Sequence, residues 1–344
     1  MNNIAQEAPK GSSGIWNLFK IIVALILVGF IFSKTNIYQL VALKDRISWN
    51  WLALRFIFFC LMLLVKSLQY WTLFEKRIRY SNMLNIVIWQ NAIANFLANS
   101  AGVASYLAML RAEEGINLRR AGITFAITKI GDLFTMWLYL AISAWLIWAQ
   151  VEVLHGIILL LLVGILLSFS FFFVVVLLRQ KLISVLHAAA NKFRLAHLKF
   201  VKTLLDFLST LAEQEQRTVF YILLRSTTLS LIYMTLTMAF SYSGLRMFLA
   251  PLDFWPIIMT ATLLQLLSVV PVQILGGLGI TEVTGMYLYG LFGIQQSDIA
   301  AILLGLRAVF YLMTLVTMAY LPFGMWMSKK HRESMNRGNG SSDV

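Results

Sequence analysis

Seven ionisable residues stand inside long apolar runs of this chain: Arg55, Lys66, Lys129, Asp132, Arg225, Glu282 and Arg307. A charge in the middle of a membrane-type helix costs free energy, from about 2.5 kcal/mol on insertion scales, so each one is a functional candidate by default. Lys129 and Asp132 are spaced i, i+3, close enough to pair on one helix, and a structural salt bridge is the bland reading of them. Arg55 and Lys66 lie 11 positions apart, about 1,100° of helix or about 20° after whole turns, so they share a face. The competing reading is that both snorkel, Arg55 outward and Lys66 inward, and Arg225, near the start of its run, is read as snorkelling too. Arg307 sits about 12 Å into its run, too deep for easy escape. Glu282 follows the break Gly276-Gly277-Leu278-Gly279 and can cap the helix after it, where a carboxylate suits the dipole. An Arg307–Glu282 contact is therefore expected. Five cations stand against two anions, an excess that an anionic ligand would balance, and arginine forks suit phosphate oxygens.

Enzyme constellations are missing from the sequence. His155, His187, His197 and His331 fall in loops or the tail, and none pairs with a carboxylate at metal spacing, so no metal and no cofactor is expected. Cys60 is the only cysteine and lies in an apolar run, which leaves no disulfide framework. H-E-x-x-H, P-loop and G-x-S-x-G patterns do not occur, and the Gly276–Gly279 cluster reads as a helix break. The expectation is a protein that is not an enzyme.

The elements that must hold these residues follow from composition. Of 344 residues, 60% are apolar and only 12% charged, with a mean hydropathy of +0.78. Soluble domains carry about 25% charged residues, so a soluble enzyme, a nucleic-acid-binding domain and a disordered tail protein are excluded. The net charge of +13 fits loops beside anionic lipid head groups. The expected fold is an all-α polytopic helical membrane protein with about 6–8 spans plus two re-entrant broken-helix hairpins.

Met1–Gly14 is polar and expected to be disordered. Ile15–Ser33 is read as a retained anchor, with a signal peptide as the competing reading. Further runs are Trp51–Phe74, Met83–Leu110, Ala121–Ala149, Gly156–Leu178, Val219–Leu245, Trp255–Leu275 and Ile299–Met327. Residues 179–217 are basic yet carry apolar residues at helical spacing (Leu182, Val185, Leu186, Phe193), the pattern of an amphipathic surface helix. Residues 15–327 form one expected transmembrane domain, and 328–344 a basic mobile tail.

Basic loops at Lys76–Arg79, Arg111–Arg120 and 179–217, with the tail cluster Lys329, Lys330 and Arg332, are assigned to the cytoplasm. Gln150–His155 and Arg246–Trp255 then lie outside, while Lys34–Asn50 fits poorly. Met83–Leu110 thus starts and ends on the cytoplasmic side, and its interior polar residues (Asn91, Asn95, Asn99, Ser100, Gly102, Ser105) predict a hairpin that dips in and returns. Trp255–Ile294 must do the same from outside, broken at Pro271 and the glycines. Irregular backbone at membrane depth is tolerated only beside protein or a water-filled cavity. The two hairpins also align: Gly102-Val103, Gly115-Ile116 and Lys129 match Gly279-Ile280, Gly293-Ile294 and Arg307, with 13 positions from Ile116 to Lys129 and from Ile294 to Arg307. Chance alignment of two apolar stretches is the alternative to an inverted-topology repeat, the architecture of secondary transporters.

The stretch Pro271–Glu282, followed by Gly293-Ile294 and Arg307, resembles the second signature of the lysylphosphatidylglycerol synthase transmembrane-region family, flippase-like integral membrane proteins. In the first signature Asn95 and Gly102 match, and Arg111, Gly115 and Asp132 stand as equivalents. Ala98-Asn99 and Ala104-Ser105 replace the family's proline and acidic residue, and Lys129 stands where arginine is common. The resemblance, without the soluble aminoacyltransferase domain, implies lipid translocation or handling rather than lipid synthesis. The expected function is a flippase-like carrier of an anionic phospholipid or a polyprenyl-phosphate-linked lipid in the cytoplasmic membrane. The expected head-group site is Arg307, Lys129, Glu282, Asp132, Lys66, Arg111, Gly276, Gly277, Gly279 and Asn95. The rival is a non-catalytic accessory subunit that presents lipid to a separate glycosyl- or aminoacyl-transferase. Membrane lipids are the expected partners, a transferase belongs to the rival reading, and no nucleic acid is expected.

Overall fold

The computed structural model describes residues 43–74, 78–170, 216–248, 250, 252–268, 279–322 and 324, and among them there is no strand. The helices are α1 (Trp49–Leu73), α2 (Tyr80–Phe96), α3 (Asn99–Glu114), α4 (Leu118–Leu146), α5 (Glu152–Ser170, opening in a 3-10 turn), α6 (Gln216–Met247), α7 (Phe254–Ser268), α8 (Ile280–Gly290) and α9 (Gln296–Met318). Five stretches are long and apolar enough to cross a membrane: Trp49–Leu73, Arg120–Leu146, Glu152–Ser170, Phe220–Met247 and Gln296–Pro322. Helix is the answer sequence and solvent both dictate, because in hydrocarbon every backbone N–H and C=O must bond within its own segment. The protein is a polytopic helical membrane protein. The predicted Ile15–Ser33 run, the N-terminal residues 1–14, the tail 328–344, Gly276–Leu278 and all but the last two residues of the 179–217 segment lie outside the described residues.

The two broken segments are hairpins of shorter helices. Met83–Leu110 becomes α2 and α3, starting earlier and ending later than expected, with 17 and 16 residues, or about 25 Å each. The break is at Leu97-Ala98, where Ala98 is fully extended. α2 and α3 close tightly because residue 102 is glycine: a Cβ there would lie 2.7 Å from the Ala94 Cβ and 2.8 Å from the Gln90 carbonyl. In the second hairpin α7 has 15 residues and α8 only 11, and the two pack on each other. Neither reaches across a hydrocarbon core of about 30 Å.

α1 and α6 form the antiparallel centre. Ser48 donates its backbone N–H to the Met247 carbonyl at 2.9 Å, Arg55 reaches the Phe240 carbonyl at 2.6 Å, and Gln69 reaches the Ser226 carbonyl at 3.0 Å. Around this pair the helix contacts obey a rule. With α5 set aside, exchanging α1 with α6, α2 with α7, α3 with α8 and α4 with α9 maps most helix–helix contacts onto one another, though the broad α4–α6 contact maps onto a slight one between α9 and α1. The hairpin α2–α3 becomes α7–α8, α2 against α9 becomes α7 against α4, and α1 against α2 becomes α6 against α7. Since α1 and α6 run in opposite directions, the exchange inverts the unit. This is the kind of contact pattern an inverted-topology repeat makes.

Apolar packing locks the centre to the hairpins. Tyr70 of α1 lies against Tyr106 of α3 with ring centroids 4.6 Å apart, and both rings are fully buried. Phe59 of α1 meets Phe240 of α6 and Phe310 of α9 at 5.9 and 5.6 Å. Offset and edge-on aromatic pairs add about 0.5–1.5 kcal/mol beyond area burial, and the Tyr70–Tyr106 pair fixes the depth of the first hairpin against α1.

Candidate functional site

The break of the first hairpin meets the end of α7. Asn99, first residue of α3, donates its side-chain N–H to the carbonyl of Ser268, last residue of α7, at 3.1 Å. Beside this contact, between the tips and the α1–α6–α9 face, lies a cavity of about 420 Å³, within the usual range of small-molecule sites.

Two arginines line it. Arg55 is only 5% exposed, so the snorkelling reading fails. Its Nη1 donates to the Phe240 carbonyl, and its guanidinium carbon stands 3.7 Å from the Phe240 ring centroid. Gly244 leaves the space the guanidinium fills. The Arg55 Nε–H is buried with no hydrogen-bond partner among the described residues, and no carboxylate of these residues pairs with Arg55. The second is Arg307 on α9, whose Nε lies 2.9 Å from Glu282 Oε1 and whose Nη2 donates to the Thr281 hydroxyl at 3.1 Å. Glu282 in turn accepts the Gly279 N–H at 2.7 Å and the Thr281 hydroxyl at 3.0 Å. The carboxylate therefore caps α8 and holds the arginine together, as the sequence predicts. Gly279 makes the start of α8 at φ 91°, a conformation natural to glycine.

Carboxamides and hydroxyls complete the lining. Asn91 and Asn95 stand one turn apart on α2, Gln265 comes from α7, and Thr237 and Ser241 come from α6. Asn95 also donates to the Thr314 hydroxyl at 3.4 Å. The N-terminus of α3 opens here without a side-chain cap, and its free N–H groups favour an anion. No carboxylate lines the cavity among the described residues, so two guanidinium groups face it against one capping carboxylate behind Arg307.

The remaining predicted residues form a second cluster. Lys66 crosses from α1 to hold both oxygens of Asp132 on α4, at 2.7 and 2.9 Å. Ser230 donates to Asp132 Oδ1 at 2.9 Å, and Gln69 donates to Ser230 at 2.7 Å. Lys129 approaches the same carboxylate at only 3.5 Å with its side chain 48% exposed. The i, i+3 pair read from the sequence is thus the looser contact, and the tight one joins two helices. Tyr233, whose ring receives the Lys66 ammonium at 4.6 Å, also lines the cavity and stands between the two clusters.

Of the predicted site, the structure brings Arg307 and Asn95 to the cavity, with Glu282 and Gly279 directly behind Arg307. Lys66, Asp132 and Lys129 are the separate cluster, and Lys129 does not line the cavity. Arg111 is exposed in the last turn of α3, where its charge suits the helix C-terminus. Gly276 and Gly277 lie outside the described residues. Sequence reasoning left Arg55 undecided and missed Gln265; an amide in the stretch Ile257–Leu267, apolar but for Thr260 and Thr262, was the available signal. A larger hollow of about 480 Å³, framed by Phe134, Phe169, Phe220 and Leu224, is almost wholly apolar and offers nothing to fix a head group.

Comparison with known proteins gives one match. The family profile described as the lysylphosphatidylglycerol synthase TM region covers residues 17–317, which include every helix from α1 to α8 and all but the last residue of α9. Neither the curated proteins nor the solved structures return a match. With most of its length matched, the chain belongs to the lysylphosphatidylglycerol synthase TM region family, whose work is tied to membrane lipids.

Proposed function

We propose that this protein is a non-enzymatic carrier that moves an anionic lipid between leaflets, with the lipid phosphate held in the cavity by Arg55 and Arg307. One observation carries the reading: Arg55, a buried residue of the cavity lining, has no carboxylate to balance it among the described residues. A buried charge is tolerable when paired, and a phosphate supplies the missing anion with oxygens that match a guanidinium fork. The inverted contact pattern supports a carrier, since a site between two inverted halves can be exposed to either side by rocking one half on the other. We place the protein in the cell membrane with its C-terminus in the cytoplasm, on the strength of the basic loops.

The test is leaflet-to-leaflet transfer of labelled phospholipids in liposomes that contain only this protein. Anionic lipid should transfer faster than zwitterionic lipid, and Arg55→Gln and Arg307→Gln should each remove that advantage. Absence of transfer of every anionic lipid by folded protein would sink the carrier reading. If lipid still binds in an Arg55-dependent way, an accessory role beside a separate transferase replaces it.

A further inference from the structure

Resting on the phosphate-carrier reading above, we infer that Lys66 and Asp132 form a proton-coupling site, where Asp132 takes up a proton when an anionic head group occupies the cavity. The pair sits directly under the cavity floor. Lys66 follows Met62 by one turn on the same face of α1, and Ser230 precedes Tyr233 by three positions on α6. Met62 and Tyr233 both line the cavity, and the Tyr233 ring stands 4.6 Å from the Lys66 ammonium. From another side Lys129 reaches Asp132 Oδ2 at 3.5 Å with its own side chain half in the open, which links the carboxylate to the surroundings. The charged and titratable groups around Asp132 are Lys66 and Tyr70 from α1, Lys129 from α4 itself and Tyr233 from α6. Tyr106 of α3 lies against Tyr70, and Arg225 of α6 is exposed. Neither α7 nor residues 156–170 of α5 hold an ionisable side chain. Ionisable residues at membrane depth that join a substrate cavity to the outside are the parts from which transporters build proton paths.

Asp132 is held as a carboxylate by one tight partner. Lys66 uses its N–H donors inside the cluster, on both carboxylate oxygens and on Gln69 Oε1. A phosphate in the cavity offers that flexible ammonium a second anion. As Lys66 turns to it, the carboxylate keeps the Ser230 hydroxyl and the loose Lys129. A buried charge stripped of its partner is neutralised rather than left standing. The proton comes from water, forms an O–H bond on the carboxylate, and returns to water when the lipid departs. No other covalent bond is made or broken. The Ser230 hydroxyl suits both states, since it donates to a carboxylate and accepts from a carboxylic acid. One negative head group and one proton then cross together. The lipid's charge is cancelled, and a pH difference drives the carrier.

The experiment reads an end point rather than a rate, so a slowed variant does not confuse it. Full-length protein is placed in phosphatidylcholine liposomes with a trace of acyl-labelled phosphatidylglycerol as the anionic probe. A one-unit pH difference is imposed, and the voltage is held at zero with potassium and valinomycin. The label should gather about tenfold in the leaflet on the alkaline side, the ratio that one proton per lipid sets. Labelled phosphatidylcholine should stay even, and protein-free liposomes should not redistribute the anionic label in the same time. Separately, detergent-solubilised protein in weak buffer should take up as much as one proton per phosphatidylglycerol bound, read with a pH indicator. By reciprocity it should bind that lipid more tightly as pH falls. Asp132→Asn, and the paired change Lys66→Met with Asp132→Leu in case the single variant fails to fold, should bring the label to an even distribution and take up no proton. An even distribution with the unaltered protein, or a tenfold ratio kept in the folded variants, overturns the inference and leaves the carrier standing. Proton uptake on binding without any transfer overturns the carrier and leaves the proton site. Neither transfer nor uptake overturns both.

Discussion

Arg55 is seated on Phe240, with its guanidinium carbon 3.7 Å from the ring centroid and its Nη1 bound to the Phe240 carbonyl, in space that exists because residue 244 is glycine. One helix, α6, thereby supplies the ring, the carbonyl and the gap that orient a charge belonging to α1. The remaining Nε–H is buried and meets no hydrogen-bond partner among the described residues.

Gly244→Ala should therefore mimic loss of Arg55 while keeping its charge. A Cβ at 244 meets the guanidinium, and its next contact is Leu306 Cδ2 at 2.9 Å. The flexible arginine can yield, so overpacking should cost no more than about 1–3 kcal/mol. Anionic lipid transfer should fall to the level of Arg55→Gln with the melting temperature only modestly lower. Transfer at the wild-type rate in Gly244→Ala would mean that the position of Arg55 does not matter.

Lys66 and Asp132 call for a different outcome. Their side chains are 11% and 3% exposed, and the ammonium touches both carboxylate oxygens. Removing one partner of such a pair strands a buried charge, at about 3–5 kcal/mol. Lys66→Met or Asp132→Leu alone should lower stability by that order in detergent unfolding. The double variant should recover most of it, because it strands no buried charge and leaves only the Ser230 hydroxyl and the Gln69 carbonyl oxygen to find new partners. Lys129, at 3.5 Å and half in the open, should change stability by less than about 1 kcal/mol when replaced by Met. A double variant as unstable as the worse single would refute the pairing argument.

The contrast between these residues shows what sequence could carry. Helices, the break of the first hairpin and the Arg307–Glu282 contact were legible, because lipid forces backbone satisfaction along each segment and because Glu282 and Arg307 sit near a local glycine and at a fixed depth. Lys129–Asp132 was legible only as a local spacing; the stronger Lys66–Asp132 pair joins residues 66 positions apart, and no helical period reports which helices become neighbours. Arg55 shows the same limit. Whether an arginine near a helix end snorkels or turns inward depends on the packed partner, here Phe240 and Gly244 of α6. The hairpin tip contact was hidden for that reason too.

Gly102 sets how closely the first hairpin folds. A methyl group there lands on the Ala94 Cβ and the Gln90 carbonyl, both rigid helix positions rather than flexible side-chain ends. Gly102→Ala should push α3 away from α2 and cost about 1–3 kcal/mol. Gly115→Ala is strained by the residue's φ of 66° but crowds nothing within 4 Å. In unfolding measurements only Gly102→Ala should respond in part to a compensating Ala94→Gly. Full indifference of Gly102→Ala to Ala94→Gly would argue that the close approach is not what residue 102 provides.

The contact between Asn99 and Ser268 closes the argument for moving halves. A carrier built as two inverted units must change how its hairpin tips lie on each other as the site turns from one side to the other, whereas a protein that only presents lipid can keep them fixed. The Asn99 side chain reaches the Ser268 carbonyl at 3.1 Å, so a covalent link between these two positions can hold α3 to α7. With Cys60 replaced by Ser, a variant carrying Asn99→Cys and Ser268→Cys should transfer lipid when reduced, stop when oxidised and recover on renewed reduction. Each single cysteine should be insensitive to the oxidant. Lipid binding should persist in the oxidised state, because the link lies beside the arginines and not on them. Undiminished transfer after complete cross-linking would show that the tips need not part, and the rocking of one half against the other would have to be abandoned as the route across.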